Sequence, residues 1–148
     1  MSGGLFTNML LRETGHEISE EVIRRLKASH AAAYERHKDS VRPLPGARAL
    51  LDYLTEAGIA WAIATSGAMA TAALTLEKIG VDPNKSVVVT RDQVRYAKPN
   101  PDLFLAAAER INVPIEETVI VGDAIWDMLA SRRARIRRRA SLRRLWPG

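Results

Sequence analysis

The stretch Val119-Ile-Val-Gly-Asp123-Ala-Ile-Trp-Asp127 combines a short apolar run, a glycine and two aspartates four residues apart. This pattern predicts a buried strand that ends in a carboxylate cluster. The carboxyl ends of strands in a parallel sheet open onto the ligand crevice, so carboxylates there are placed for chemistry. If a helix starts directly after Gly122, Asp123 and Asp127 share one helix face and offer oxygen ligands to a hard cation such as Mg²⁺. The alternative is that Asp123 only caps that helix.

A second apolar run, which starts at Ile59, ends in Thr65-Ser66-Gly67. Small hydroxyl side chains and the backbone N–H groups of a turn at the mouth of a helix suit the oxygens of a phosphate. We therefore predict that Thr65, Ser66 and Gly67 bind a phosphoryl group.

A third segment, Tyr96-Ala-Lys98-Pro99-Asn-Pro101-Asp-Leu-Phe104, holds a lysine directly before a proline. Pro99 restricts the backbone of Lys98, and Pro101 is well placed to open a helix. A restrained ammonium supplies a point charge for an anion. The chain thus contains a turn with hydroxyl side chains, then a lysine, then a pair of aspartates. This order predicts a site for a phosphoryl group and a divalent metal ion.

Helices and strands alternate along the chain, which predicts an α/β fold: a three-layer, Rossmann-like parallel sheet with helices on both faces. Ser19 can cap a helix with Glu20 and Glu21 in its first turn that runs toward His37, and Gly58 and Gly80 are placed to stop later helices. The predicted helices are 20–37, 47–57, 68–79 and 101–111, and the predicted strands are 59–65, 86–90 and 118–121.

The three motifs, Ala64–Gly67, Ala97–Phe104 and Val121–Asp127, resemble the second, third and fourth motifs of the haloacid dehalogenase (HAD) superfamily. The resemblance covers roughly residues 40–131, and residues 1–39 more loosely resemble the later part of a helical cap. It implies a phosphatase-like hydrolase that acts on a small phosphorylated metabolite, with dehalogenase or phosphomutase chemistry as alternatives. Phosphomonoester hydrolysis in this family passes through an aspartyl-phosphate intermediate.

The resemblance also implies a role for each site residue. Thr65, with Ser66 and Gly67, would hold the phosphoryl oxygens, and Lys98 would offset negative charge on the nucleophile and the phosphoryl group. Asp123 would ligate Mg²⁺, and Asp127 would support that metal site directly, through water or through Lys98. Catalytic residues present in the chain would then be Thr65 and Lys98.

The family's first motif, Asp-x-Asp-x-Thr, carries the nucleophile on a strand between the second- and fourth-motif strands, and the chain contains no Asp-x-Asp. We therefore expect an N-terminally truncated member that is inactive alone. Loss of a central strand exposes two rows of backbone donors and acceptors, so we also expect instability or self-association unless the flanking strands close up or a partner fills the gap.

The C-terminal residues 132–148 depart from the family pattern, because they hold eight arginines and no acidic residue. The rest of the chain holds 14 of the 22 Lys and Arg residues and all 17 acidic residues. The arginines of the tail therefore cause the high pI of the whole sequence. A basic tail can bind nucleic acid or an anionic membrane surface. We prefer the simpler interpretation of a shifted reading frame or a disordered or helical extension.

Composition fits one globular unit, with 47% hydrophobic and 26% charged residues. The chain has no cysteine, which excludes disulfides, and no apolar stretch of bilayer length. We expect a cytoplasmic protein with a partial cap segment at 1–40, a HAD-like core at 41–131 and the arginine-rich tail at 132–148. Alternatives are a non-catalytic remnant that binds phosphate or a protein, and nucleic-acid binding through the tail.

Overall fold

The computed structural model describes residues 19–136 and the backbone of residues 138–141. Over these residues helices and strands alternate as the sequence predicts. The helices are α1 (Glu20–His37), α2 (Ala47–Glu56), α3 (Met69–Lys78), α4 (Asp102–Arg110) and α5 (Ile125–Arg133), with short 3-10 turns at Lys38–Ser40, Arg91–Gln93 and Ile115–Glu117. The strands are β1 (Ala62–Ala64), β2 (Val87–Val89), β3 (Val119–Gly122) and β4 (Arg138–Ser141).

The predicted helix cap at Ser19 and the predicted helix stops at Gly58 and Gly80 are confirmed. The hydroxyl of Ser19 accepts a hydrogen bond from the Val22 N–H at 3.3 Å and caps α1. Gly58 and Gly80 follow α2 and α3 with φ of +66° and +73°, the left-handed conformation that glycine adopts without a Cβ penalty. The predicted strand 59–65 is shorter than expected, because ladder pairing covers only Ala62–Ala64.

The strands form two separate parallel pairs. β1 pairs with β2, with Ile63 opposite Val88, and β3 pairs with β4, with Val121 opposite Ala140. No ladder joins β1 to β3 within the residues described. The strands expected to flank a missing central strand therefore do not close up against each other.

Helices cover both faces of the β1–β2 pair, as predicted. On one face, Val89 packs with Leu103 and Ala107 of α4. On the other, Val88 packs with Leu76 of α3. This alternation follows from the two-residue period of a strand, which sends successive side chains to opposite faces.

Phe104 of α4 joins the two strand pairs. Phe104 is 5% exposed and belongs to a cluster with α5 residues, against which both Ala64 of β1 and Ile120 of β3 pack. The outer side of β3 is open by comparison, since Val119 and Val121 are 54% and 48% exposed. Ala64 packs against the Val89 cluster as well, so it lies between the core of the β1–β2 pair and the Phe104 cluster.

Part of the arginine-rich tail is ordered structure. Helix α5 includes Arg132 and Arg133, Ile136 is buried, and residues 138–141 form β4. The expectation of a disordered or helical tail is therefore wrong for 138–141. Parallel pairing uses backbone groups, so an arginine-rich sequence can supply this strand. Residues 137 and 142–148, and residues 1–18 of the cap-like segment, lie outside the described part of the chain.

The cap-like helix α1 contacts the core through its C-terminal end. The Tyr34 hydroxyl lies 3.1 Å from the Thr75 hydroxyl, and the Lys78 ammonium donates to the carbonyls of Lys38 and Val41 at 3.0 and 2.9 Å. Of the helices in the described part of the chain, none is long and apolar enough to cross a membrane.

Candidate active site

The hydroxyl turn follows β1 directly. The Thr65 N–H donates to the Val89 carbonyl at 2.9 Å, which extends the β1–β2 pairing by one residue. The Thr65 Oγ1 accepts from the Gly67 N–H at 3.1 Å, and α3 begins at Met69. The small hydroxyl residues therefore form a closed turn between a strand end and a helix start, as the sequence predicts.

The loop after β2 holds this turn in place with two hydrogen bonds. The Arg91 N–H donates to the Gly67 carbonyl at 3.0 Å, and the Asp92 carboxylate accepts from the Met69 N–H at 2.8 Å. Asp92 thus supplies to α3 the capping oxygen that Ala68 at the N-cap position lacks. A carboxylate at a helix N-terminus satisfies a free N–H and interacts favourably with the helix dipole.

Lys98 forms a buried ion pair with Asp127. The Lys98 Nζ lies 2.7 Å from the Asp127 Oδ1, and the two side chains are 14% and 10% exposed. The ammonium also lies 5.2 Å from the centroid of the Phe104 ring, within cation–π range. The loop after β2 is in this way fixed to the helix after β3.

Gly122 makes room for the Asp127 carboxylate. The Asp127 Oδ2 accepts from the Ala124 N–H at 3.1 Å, so both carboxylate oxygens are engaged. A Cβ added at Gly122 would lie 2.7 Å from that Oδ2 and 2.8 Å from the Asp127 Cβ and Cγ. The glycine of the Val-Gly-Asp motif is therefore required by the close approach of Asp127.

Asp123 occupies a different position from the one predicted. Helix α5 begins at Ile125, with an extended Ala124 at its N-cap, so Asp123 precedes the helix. The expectation that Asp123 and Asp127 share one helix face is wrong, because the helix starts two residues later than assumed. The capping alternative is also wrong, since Asp127 and not Asp123 accepts the hydrogen bond at this helix end.

The described residues bring together too few carboxylates for a complete metal site. Asp123 is exposed and takes part in none of the side-chain hydrogen bonds or ion pairs found in the described chain, whereas Asp127 uses both oxygens within the protein. No cluster of three or more His, Cys, Asp or Glu side chains that could hold a metal occurs in the same residues. Mg²⁺ commonly binds one or two carboxylates together with water and substrate phosphate. Asp123 alone can bind Mg²⁺ in this way only if other groups supply the remaining ligands.

The three predicted motifs are connected at the carboxyl ends of the strands. Lys98 contacts Asp127 directly, and the Thr65–Gly67 turn reaches the loop that carries Lys98 through Arg91 and Asp92. Direct contacts of Lys98 with Thr65, Ser66 or Gly67, and of Asp123 with any of them, are not among those found in the described chain. Their assignment to one site therefore stays a prediction.

Two residues that contribute to this arrangement were not predicted. Asp92 caps α3, and the Arg133 guanidinium donates to the Pro99 carbonyl at 3.0 Å. Both partners are distant in sequence, 23 and 34 residues away, so no local spacing could indicate them.

Comparison with known proteins identifies the family. Residues 6–135 match the sequence profile of haloacid dehalogenase-like hydrolases, and the chain belongs to this family. The resemblance of its three motifs to the HAD superfamily is thereby confirmed.

Individual relatives are phosphatases and hydrolases. The chain is 43% identical over 86 residues to hexitol phosphatase A of Escherichia coli and 34% identical over 119 residues to phosphoglycolate phosphatase of Xylella fastidiosa. These matches cover 58% and 80% of the chain, and 39% and 52% of the relatives. A crystal structure of a hydrolase from Pseudomonas syringae superposes with a TM-score of 0.88 at 51% identity, over 92% of this chain and 62% of that one. The chain thus spans less than two thirds of the length of these relatives.

Proposed function

We propose that this chain carries the phosphate-binding and charge-neutralising part of a Mg²⁺-dependent phosphatase that acts on small phosphorylated metabolites. The observation that carries the proposal is the buried Lys98–Asp127 pair, which fixes an ammonium at the carboxyl ends of the strands. Support also comes from the phosphatases among the relatives, although substrate identity differs between them.

Each site residue has a distinct proposed task. The hydroxyls of Thr65 and Ser66 hydrogen-bond the phosphoryl oxygens, and the Gly67 N–H, which donates to the Thr65 Oγ1, holds the Thr65 side chain in place for this contact. Lys98 offsets the negative charge that develops as the phosphoryl group is transferred, and Asp127 orients Lys98. Asp127 acts on the metal site through Lys98 and not as a direct ligand, because both of its oxygens are already engaged.

Asp123 is the proposed protein ligand for Mg²⁺. The carboxylate is exposed at the end of β3, next to the loop that leads into α5. When bound, Mg²⁺ would neutralise charge on the phosphoryl oxygens. The remaining ligands would be water, phosphate and a carboxylate from outside the described residues.

The chain alone should not turn over a phosphomonoester. In the family mechanism an aspartate oxygen attacks phosphorus as the alcohol leaves, and water then cleaves the aspartyl-phosphate. The attacking aspartate belongs to an Asp-x-Asp pair, and none of the aspartates of this chain forms such a pair. We therefore assign phosphate binding to this chain and turnover to a polypeptide that includes the first motif.

Phosphate titration of the 148-residue chain tests the binding half of the proposal. Inorganic phosphate with Mg²⁺ should shift the amide NMR signals of Ser66 and Gly67, and Lys98→Ala should weaken binding by at least tenfold. Lys85→Ala is the matched control, because the Lys85 side chain is 84% exposed in a distant turn. Equal binding by the Lys98 and Lys85 variants, with both folded by amide dispersion, would refute the assignment.

Hydrolysis of p-nitrophenyl phosphate with Mg²⁺ tests the catalytic half. We expect no rate above background for this chain, and turnover for a reading frame in which Asp-x-Asp-x-Thr precedes it. The Lys98→Ala variant of that longer protein should lose activity. Turnover by the 148-residue chain itself would show that a different nucleophile operates.

We also propose that the chain associates through the free edges of β1 and β3. Each of these strands has one paired edge within the described residues, and the exposed side of β3 carries two valines. Unpaired edges with apolar side chains favour strand pairing between molecules. Sedimentation analysis should show self-association, whereas a monodisperse, cooperatively melting monomer would contradict it. Nucleic-acid binding by the tail is not proposed, because α5, Ile136 and β4 place part of it in the packed structure.

A further inference from the structure

Helix α5 contacts the lysine-bearing turn at two points. Near its start, Asp127 binds the Lys98 ammonium at 2.7 Å. At its last residue, the Arg133 guanidinium donates to the carbonyl of Pro99, the next residue in the turn, at 3.0 Å. The same helix therefore holds both the side chain of Lys98 and the backbone that follows it.

The turn has few other attachments. The Asn100 N–H closes it by donating to the Ala97 carbonyl at 3.1 Å, and Ala97 is buried against the cluster around Val89. These contacts fix the start of the turn but not its distance from α5. Beyond the turn, Phe104 of α4 packs with Ala130 of α5, so the two bonds from α5 hold the part of the turn between Ala97 and Phe104, where Pro99 has no N–H with which to form a third.

We propose that Arg133 is a positioning residue for Lys98. By holding the Pro99 carbonyl against the end of α5, it keeps the ammonium within hydrogen-bond distance of Asp127. Arg133 lies in the last turn of α5, where a cation also interacts favourably with the helix dipole. The catalytic consequence rests on the proposed function, but the positioning of Lys98 does not.

Chemical labelling of lysines tests this role without substrate or metal. Trace acetylation of the full chain, quantified by mass spectrometry, reports how often each amine is free of its partners. In Arg133→Ala the Lys98 rate should rise about fivefold, the ratio that one hydrogen bond of ordinary net strength gives. Arg133→Lys keeps a donor and should restore most of the protection.

Arg132→Ala is the matched control. Arg132 is the adjacent residue in α5, is exposed, and has no side-chain hydrogen bond among those found in the described chain. Its replacement should leave Lys98 labelling unchanged. Equal labelling of Lys98 in the Arg133→Ala and Arg132→Ala variants would overturn the proposal.

Lys78 provides an internal reference for general loosening. Its ammonium donates to two carbonyls of the segment that follows α1, in a different part of the molecule. In Arg133→Ala its labelling should stay as in the parent chain. A parallel rise at Lys78 and Lys98 would assign Arg133 a general structural role and also overturn the proposal. Failure of phosphate binding, in contrast, would leave this result unaffected.

Discussion

Removal of the Lys98 ammonium should strongly destabilise the chain. In Lys98→Met an unbranched apolar side chain replaces the lysine, while Asp127 loses the partner of its Oδ1. The Asp127 side chain is only 10% exposed, so water cannot fully replace the ammonium. Breaking a buried ion pair from one side costs about 3–5 kcal/mol. That is a large fraction of the ~5–15 kcal/mol that stabilises an ordinary domain.

A double-mutant cycle separates the pair from the packing around it. Asp127→Asn removes the negative charge and keeps an oxygen for the Ala124 N–H. In Lys98→Met/Asp127→Asn no charge is left unpaired. The double variant should therefore lose less free energy of unfolding than the two single variants together, by about 0.5–3 kcal/mol.

Urea unfolding followed by circular dichroism, at low protein concentration, measures these differences. The control is Lys85→Met, which breaks an exposed pair with Asp82 at 3.8 Å and should leave the free energy of unfolding almost unchanged. A Lys98→Met variant as stable as the Lys85→Met variant, or strict additivity in the cycle, would refute the reasoning.

Three further perturbations have defined outcomes. Leu103→Ala should lower the free energy of unfolding by about 2–5 kcal/mol because Leu103 is fully buried, whereas Leu105→Ala, at a 43% exposed site, should cost far less in the same urea experiment. Gly122→Ala should cost about 1–3 kcal/mol, because its Cβ would meet Asp127 at 2.7–2.8 Å; a melting temperature equal to that of the parent would argue against this contact. The pKa of Asp82 is lowered, first by the backbone N–H two residues further on, so its folded form favours the carboxylate. Its contribution to stability should be present above the unfolded pKa of about 3.9 and be lost as the pH falls through the lower folded pKa, which carbon-detected NMR titration of the carboxyl can check.

Local chemistry in the sequence was sufficient to predict most helix ends. Ser19 caps α1 through its own hydroxyl, and glycines with positive φ follow α2 and α3. These predictions succeed because the residue at the helix end itself makes the capping hydrogen bond or adopts the left-handed conformation. The sequence of β4 carries no local pattern typical of a strand, because its arginine side chains do not indicate that its backbone pairs with β3.

The candidate site was predictable in its residue types but not in its contacts. Lys98 and Asp127 were placed in one site from their motifs, and their ion pair brings together residues 29 positions apart. The start of α5 was misjudged because Ala124 is extended, which leaves Asp123 outside the helix. Asp92 and Arg133 were missed, since their hydrogen-bond partners are set by tertiary packing and not by spacing.

Because the strands form two separate pairs, we expect local unfolding to occur separately in the two parts of the protein. Of the contacts described, the Phe104 cluster, the Lys98–Asp127 pair and the Arg133–Pro99 hydrogen bond link the half containing β1 and β2 to the half containing β3 and β4. Cooperative subunits of a fold that share few contacts exchange their amide hydrogens as separate blocks. Hydrogen exchange should therefore show two sets of protection factors along this chain, and the replacement of Lys98 should widen the difference between them.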